Sequence, residues 1–136
     1  MKIKIRISGP RVHNVGYRPF LITLADEFGI RKFEVFNSIL AGNQVVIAKT
    51  EADEDQFQAF MDAIRSRKPK KAEVSDISYE PFEGSVHSIM RTLILNITAQ
   101  LAKFDQILDR QELGYRRAQD LEKHGKGSNE TQAIWR

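Results

Sequence analysis

Hydrophobic periodicity switches between two-residue and helical spacing along residues 2–81, in the order strand, helix, strand, strand, helix, strand. The first strand has the clearest pattern, because isoleucine alternates with charged residues over 2–7 before Gly9-Pro10 breaks the run. The β-α-β-β-α-β order is typical of the ferredoxin-like sandwich, an antiparallel sheet with two helices on one face. The sequence therefore predicts an α+β fold over this range.

The two helices of this pattern carry recognisable end signals. A helix is predicted to start at Pro19, a residue favoured in the first turn, and to stop at Gly29, which suits a C-terminal cap. Asp53, followed three residues later by Gln56, predicts a capping box at the start of the second helix.

Strand limits follow from the same patterns. The second strand is predicted to end at Asn37, with a turn over 39–43 before a valine-rich third strand. The fourth strand is predicted over 73–81. Together these elements define a predicted globular domain over 1–84.

Beyond this domain, apolar residues follow alternating steps of four and three, a heptad pattern about four repeats long. Ser85 or Ser88 can cap the helix that this pattern predicts. We therefore expect a long amphipathic C-terminal α-helix over 85–123, suited to a coiled coil. The heptad seam consists of Met90, Ile94, Ile97, Leu101, Phe104, Leu108, Gln111, Tyr115 and Ala118, widened by Leu93, Ile107 and Leu121.

Two interpretations of the seam stay open: it can pair with other copies of the chain, or fold back on its own domain. About 36 helical residues within 85–123 would span roughly 54 Å, whereas a domain of this size is roughly 30 Å across. This comparison favours a homo-oligomer formed through 85–123. The polar, glycine-containing segment 124–136 is predicted to be a disordered tail.

Composition excludes several classes of function. The chain has no cysteine, and its histidines (His13, His87 and His124) are widely separated, so we expect no disulfide and no metal site. Basic residues exceed acidic ones only by 21 to 18, so no nucleic-acid partner is expected. The N-terminal residues lack the apolar run of a signal peptide, and no segment is apolar enough for a membrane span. We therefore expect a cytoplasmic protein without a membrane partner.

The segment 9–18 joins the first strand to the first helix and contains glycine and asparagine. Such a loop can turn successive backbone N–H groups inward and form an anion-binding nest near a helix N-terminus. Arg18 falls at the helix start, where its guanidinium can bind the same anion through two hydrogen bonds. Many loops of this kind bind nothing, so the pattern alone leaves phosphate binding open.

The run Val12-His13-Asn14-Val15-Gly16-Tyr17-Arg18 resembles the acylphosphatase signature Val-Gln-Gly-Val-Gly-(Phe/Tyr)-Arg. The Pro-Phe that follows is similar to the acylphosphatase-like domain of hydrogenase-maturation carbamoyltransferases. The resemblance covers about residues 2–83, and its element order agrees with the periodicity. The chain departs from the signature at His13, at Asn14 and in a turn after Asn37 that is one residue longer.

The resemblance implies hydrolysis of a small-molecule acyl phosphate, with no cofactor, metal or covalent intermediate. Arg18 would bind the substrate phosphate together with the loop amides, and Asn37 would orient the attacking water. The implied substrate-binding residues are those of the loop: His13, Asn14, Val15, Gly16 and Tyr17.

Two other functions stay open at this point. The first is a catalytically silent acylphosphatase-like module that binds an anion or another protein, which Asn14 and the longer turn would favour. The second is an RNA-binding ferredoxin-like domain, which would need exposed aromatic residues on the open face of the sheet. The predicted strands offer mainly Lys2, Lys4 and Arg6 there, so this function ranks last.

Overall fold

The computed structural model of the chain describes the backbone of residues 1–123 and the side chains of residues 1–111. The tail predicted over 124–136 lies outside the described residues, as do the side chains of the last seam positions. The elements are β1 (Lys2–Gly9), α1 (Tyr17–Glu27), β2 (Lys32–Leu40), β3 (Asn43–Glu51), α2 (Glu54–Ser66), β4 (Asp76–Pro81) and α3 (Ile89–Lys123).

The four strands form one sheet in the order β2-β3-β1-β4, with every neighbouring pair antiparallel. In β1, Ile3, Ile5 and Ile7 are buried on one face, while the charged residues between them are half-buried on the other. Side chains of α1 and α2, among them Leu21 and Phe60, join these isoleucines in one apolar core. The predicted ferredoxin-like fold with an added C-terminal helix is therefore confirmed.

Helix ends follow the predicted capping chemistry. The Asp53 side chain accepts a hydrogen bond from the Gln56 N–H at 2.8 Å, and the Gln56 side chain accepts from the Asp53 N–H at 3.3 Å. This reciprocal capping box starts α2, as predicted. At α3, the Ser88 hydroxyl accepts from the Arg91 N–H at 3.2 Å. Of the two serines that could cap the last helix, Ser88 does so.

The first helix begins earlier than predicted, at Tyr17 instead of Pro19. Gly16 takes a φ of 83° as the N-cap residue, and its carbonyl accepts the first helical hydrogen bond from the Phe20 N–H at 3.1 Å. Because glycine adopts this left-handed conformation without steric cost, the chain enters the helix immediately after it. At the other end, Gly29 follows the helix with a φ of 71°, in keeping with its predicted role.

The fourth strand begins at Asp76, later than predicted. Glu73 forms only an isolated bridge with Arg11. The Glu73 carbonyl passes so close to Gly9 that a Cβ at Gly9 would lie 2.1 Å from it. The chain therefore passes close to the end of β1 at this point, and its regular ladder with β1 begins at Asp76.

The turn between β2 and β3 is shorter than the predicted 39–43, because the strands continue to Leu40 and from Asn43. Ala41 and Gly42 form the turn with φ angles of 51° and 80°. Two positive φ angles define the tight type I′ hairpin turn, which matches the twist of paired strands. Alanine is unusual there, because a left-handed conformation costs a residue with a Cβ roughly 1–2 kcal/mol.

Replacing Ala41 with asparagine is expected to stabilise the protein by about 1 kcal/mol, because asparagine tolerates the left-handed conformation. The free energy of unfolding, measured by urea denaturation, provides the check. Ala41→Val is the matched control and should destabilise the protein, since a β-branched residue is strained at positive φ. Equal stability of both variants and the wild type would contradict the assigned turn.

The beginning of the outer edge of β2 is covered by the segment that leads into α3. The Phe33 N–H donates to the His87 carbonyl at 3.0 Å, and Lys32 bridges to Ser88. The Thr92 hydroxyl then donates to the Phe33 carbonyl. The compact unit that contains the sheet runs from Met1 to Asn96, and a second unit begins at Ile97.

Candidate functional site

The loop between β1 and α1 presents a series of unbonded backbone donors. Asn14 and Gly16 have positive φ angles of 57° and 83°. Within the described residues 1–123, none of the N–H groups of residues 14–18 donates to a protein acceptor. Alternation of left-handed residues with others makes a concave nest of N–H groups, and the start of α1 adds its partial positive charge. This loop can therefore bind an anion.

Asn14 stands where the acylphosphatase signature has a glycine, and its conformation bears on that departure. Its φ of 57° lies in the left-handed region that glycine adopts freely and asparagine tolerates better than most residues. The loop keeps its turn at Asn14 although the glycine is missing.

Arg18 is the second residue of α1 and is half-buried. In the part of the chain that the structure describes, no carboxylate forms a salt bridge with it. A cation beside the positive end of a helix is unfavourable unless an anion neutralises it. The position of Arg18 next to the unbonded N–H groups is therefore suited to a shared anionic ligand.

Asn37 lies on β2, on the face of the sheet that the helices cover. It is paired with Val46 of β3, which is itself paired with Ile7 near the end of β1. Asn37 is half-buried and lies at the same end of the sheet at which the loop leaves β1. The structure brings Asn37 and Arg18 to one end of the sheet, and among the described residues no hydrogen bond joins them.

Two of the other predicted loop residues, Val15 and Tyr17, have side chains that point into the protein. Val15 and Tyr17 pack against the core, and Tyr17 is only 2% exposed. Burial raises the pKa of the Tyr17 hydroxyl, and this hydroxyl has no hydrogen-bond partner among the described residues. Only the backbone N–H groups of Val15 and Tyr17 are therefore candidates for binding an anion. Their side chains anchor the loop.

Gln44 bonds to the loop, although the sequence pattern did not single it out. Its Oε1 accepts hydrogen bonds from the N–H groups of Val12 and His13, both at 3.0 Å. Nε2 of the His13 ring lies 2.8 Å from the Val45 carbonyl. The available signal was a polar residue in line with Val46, on the face of β3 that packs on the helices.

The basic residues at the end of α2 have partners within the protein. Arg65 lies over the Tyr79 ring, and Arg67 pairs with Glu27 at 3.2 Å. The Lys68 ammonium donates to a backbone carbonyl at 2.8 Å. These cations suit the negative end of a helix and need no external ligand.

Metal and membrane features can be stated for the described residues. They contain no group of three or more His, Cys, Asp or Glu side chains that could hold a metal ion. Within the same residues, none of the helices combines the length and apolar character that crossing a membrane requires.

Comparisons with solved structures connect this geometry to known proteins. The chain is similar to full-length HypF in a phosphate- and nucleotide-bound form, with 25% identity and a TM-score of 0.50 over 61% of this chain and 10% of that one. HypF from T. kodakarensis gives 27% identity and a TM-score of 0.50, over 65% and 11%. The chain therefore corresponds to about a tenth of these HypF chains.

An acylphosphatase from Bacillus subtilis is 27% identical, with a TM-score of 0.48, over 65% of this chain and 94% of that one. No match was found among curated proteins. The acylphosphatase family model matches residues 3–88. Because this match spans more than half of the chain, from β1 to the serine that caps α3, the protein belongs to the acylphosphatase family.

Proposed function

We propose that this protein is an acylphosphatase, which hydrolyses the carboxyl–phosphate bond of an acyl phosphate to a carboxylate and inorganic phosphate. The observation that carries the proposal is the set of unbonded N–H groups at residues 14–18, the last of which is Arg18, whose guanidinium has no carboxylate partner among the described residues. These donors suit the oxygens of a phosphate group. Family membership supports the same substrate class.

In the proposed reaction the loop N–H groups and Arg18 bind the phosphoryl oxygens. The Asn37 amide holds a water molecule in line with the bond between phosphorus and the acyl oxygen. The water oxygen forms a new bond to phosphorus, while the bond to the acyl oxygen breaks and its electrons leave with the carboxylate. A phosphate oxygen takes the proton of the water.

Acyl phosphates need little acid catalysis, because a carboxylate is a good leaving group. Positioning of the water and stabilisation of charge on the phosphoryl oxygens can supply the rate enhancement. A neutral amide at Asn37 suits this role, since a carboxylate there would repel the phosphate. Arg18 and Asn37 are thus the proposed catalytic residues, and the loop from His13 to Tyr17 supplies substrate binding.

Asn37→Ala is expected to abolish hydrolysis of benzoyl phosphate while the protein still binds inorganic phosphate. The physical reason is that Asn37 is proposed to hold water, whereas the loop and Arg18 hold the anion. Phosphate release measures turnover, and an NMR titration with phosphate measures binding.

Asn43→Ala, at an exposed position on the same hairpin, is the matched control and should retain activity. Loss of phosphate affinity in Asn37→Ala would contradict the assigned water-binding role. A wild-type protein that binds phosphate without hydrolysing benzoyl phosphate would contradict the enzyme proposal and support the silent anion-binding module.

We also propose that α3 associates with other copies of the chain. Ile97, Leu101, Phe104 and Leu108 follow the heptad spacing and are 43–59% exposed. Fully burying such a side chain stabilises by roughly 1.5–3 kcal/mol, so covering these half-exposed residues on two chains would contribute several kcal/mol. A second copy presents the complementary seam by symmetry.

A further inference from the structure

We propose that Gln44 is a positioning residue that orders the anion-binding loop by accepting two of its backbone N–H groups. The binding of an anion at this loop rests on the proposed function, but the ordering of the loop is a separate property of the protein. Nothing in the acylphosphatase signature specifies this residue, because it lies on β3, outside the loop.

One atom of Gln44 connects the strand to two consecutive loop residues. Its Oε1 accepts from the Val12 N–H and from the His13 N–H, each at 3.0 Å. The His13 ring adds a third link, 2.8 Å from Nε2 to the carbonyl of Val45. The loop is therefore bonded to neighbouring positions of β3 just before the left-handed turn at Asn14.

The bonds of Gln44 lie directly before the unbonded N–H groups of the loop. The N–H groups of residues 12 and 13 are held by the protein, while those of residues 14–18 have no acceptor among the described residues. Val12 is 1% exposed, so the start of the loop is also fixed in the core. Fixing residues 12 and 13 leaves the following donors free to face an anion without a change of backbone.

The glutamine side chain suits position 44 better than glutamate, asparagine or alanine would. A glutamate could accept both N–H groups but would place a negative charge beside the anion site. An asparagine is one methylene shorter and would not reach both groups from the same backbone. An alanine would leave two partly buried donors without an acceptor, which is unfavourable.

The test uses the full-length chain and measures loop order and phosphate affinity separately. We expect 15N order parameters of Asn14, Val15 and Gly16 near 0.85 in the wild type, falling below about 0.6 in Gln44→Ala. Phosphate affinity, measured by NMR titration, should fall roughly tenfold in Gln44→Ala. Gln58→Ala, at an exposed position on α2, is the matched control and should change neither.

Gln44→Glu separates positioning from general stability. It should keep the order parameters of the wild type, because its carboxylate accepts both N–H groups, yet weaken phosphate binding through charge repulsion. Wild-type order parameters in Gln44→Ala would overturn the proposal, whether or not the protein hydrolyses benzoyl phosphate. If the wild type did not hydrolyse benzoyl phosphate but Gln44→Ala lost loop order, only the proposed function would be contradicted.

Discussion

Hydrolysis of benzoyl phosphate by Arg18→Ala is expected to be about 10²–10³-fold slower than by the wild type, with the fold intact. Removing one preorganised donor to developing charge typically costs this factor in rate. The fold should survive, because Arg18 forms no salt bridge within the described residues and lies outside the apolar core. Phosphate release gives the rate, and circular dichroism confirms the helical content.

Arg18→Lys should be nearly as inactive, since an ammonium cannot form the paired hydrogen bonds of a guanidinium to phosphate. Arg31→Ala removes a charge of the same kind at an exposed position and is the matched control. It should retain wild-type activity. An Arg18→Ala protein within threefold of the wild-type rate would show that the anion is bound elsewhere.

Leu101→Asp is expected to convert the proposed oligomer to a monomer. Leu101 is at the centre of the seam and 59% exposed in the single chain, and burying a carboxylate in an apolar interface is strongly unfavourable. Size-exclusion chromatography with light scattering gives the molar mass. Hydrolysis should persist in this variant, because the candidate site lies within the unit Met1–Asn96.

Leu95→Asp is a matched control on the same helix. Leu95 is 54% exposed, close to the value for Leu101, but lies off the heptad seam. It should leave the oligomer intact. A monomeric wild type at micromolar concentration would contradict the association, and equal effects of the two substitutions would contradict the assigned register.

The parts of the fold that the sequence predicted were those governed by local chemistry. Alternation over β1, the Asp53–Gln56 capping box and the long helix α3 each depend on residues close together in the chain. The ends of the strands were harder to predict from the sequence, because they depend on pairing between distant segments. Ala41 does not favour a type I′ turn by itself, and the pairing of Leu40 with Asn43 imposes it.

In the candidate site too, residues close together in the chain could be predicted from the sequence, whereas bonds between distant residues could not. Arg18 and the loop lie in one continuous motif, so the sequence could place them together at the start of the first helix. The resemblance to the acylphosphatase signature implied their chemistry, which stays a prediction. Gln44 could not be predicted from the sequence, because its bonds to Val12 and His13 connect residues more than thirty positions apart. Nothing in the sequence around Gln44 indicates which loop the folded sheet will place beside it.

The cover on the outer edge of β2 determines how the chain can be divided. A protein cut at Gly84 would lose His87 and Ser88 and leave the Phe33 backbone groups open to pairing with another molecule. Such a fragment could assemble through its exposed edge strand, and a mass measurement would confuse this with pairing of helices. Ending the chain after Asn96 keeps the bonds to the Phe33 backbone groups and removes most of the seam. A fused or shortened protein should therefore keep the sheet and the beginning of α3 together.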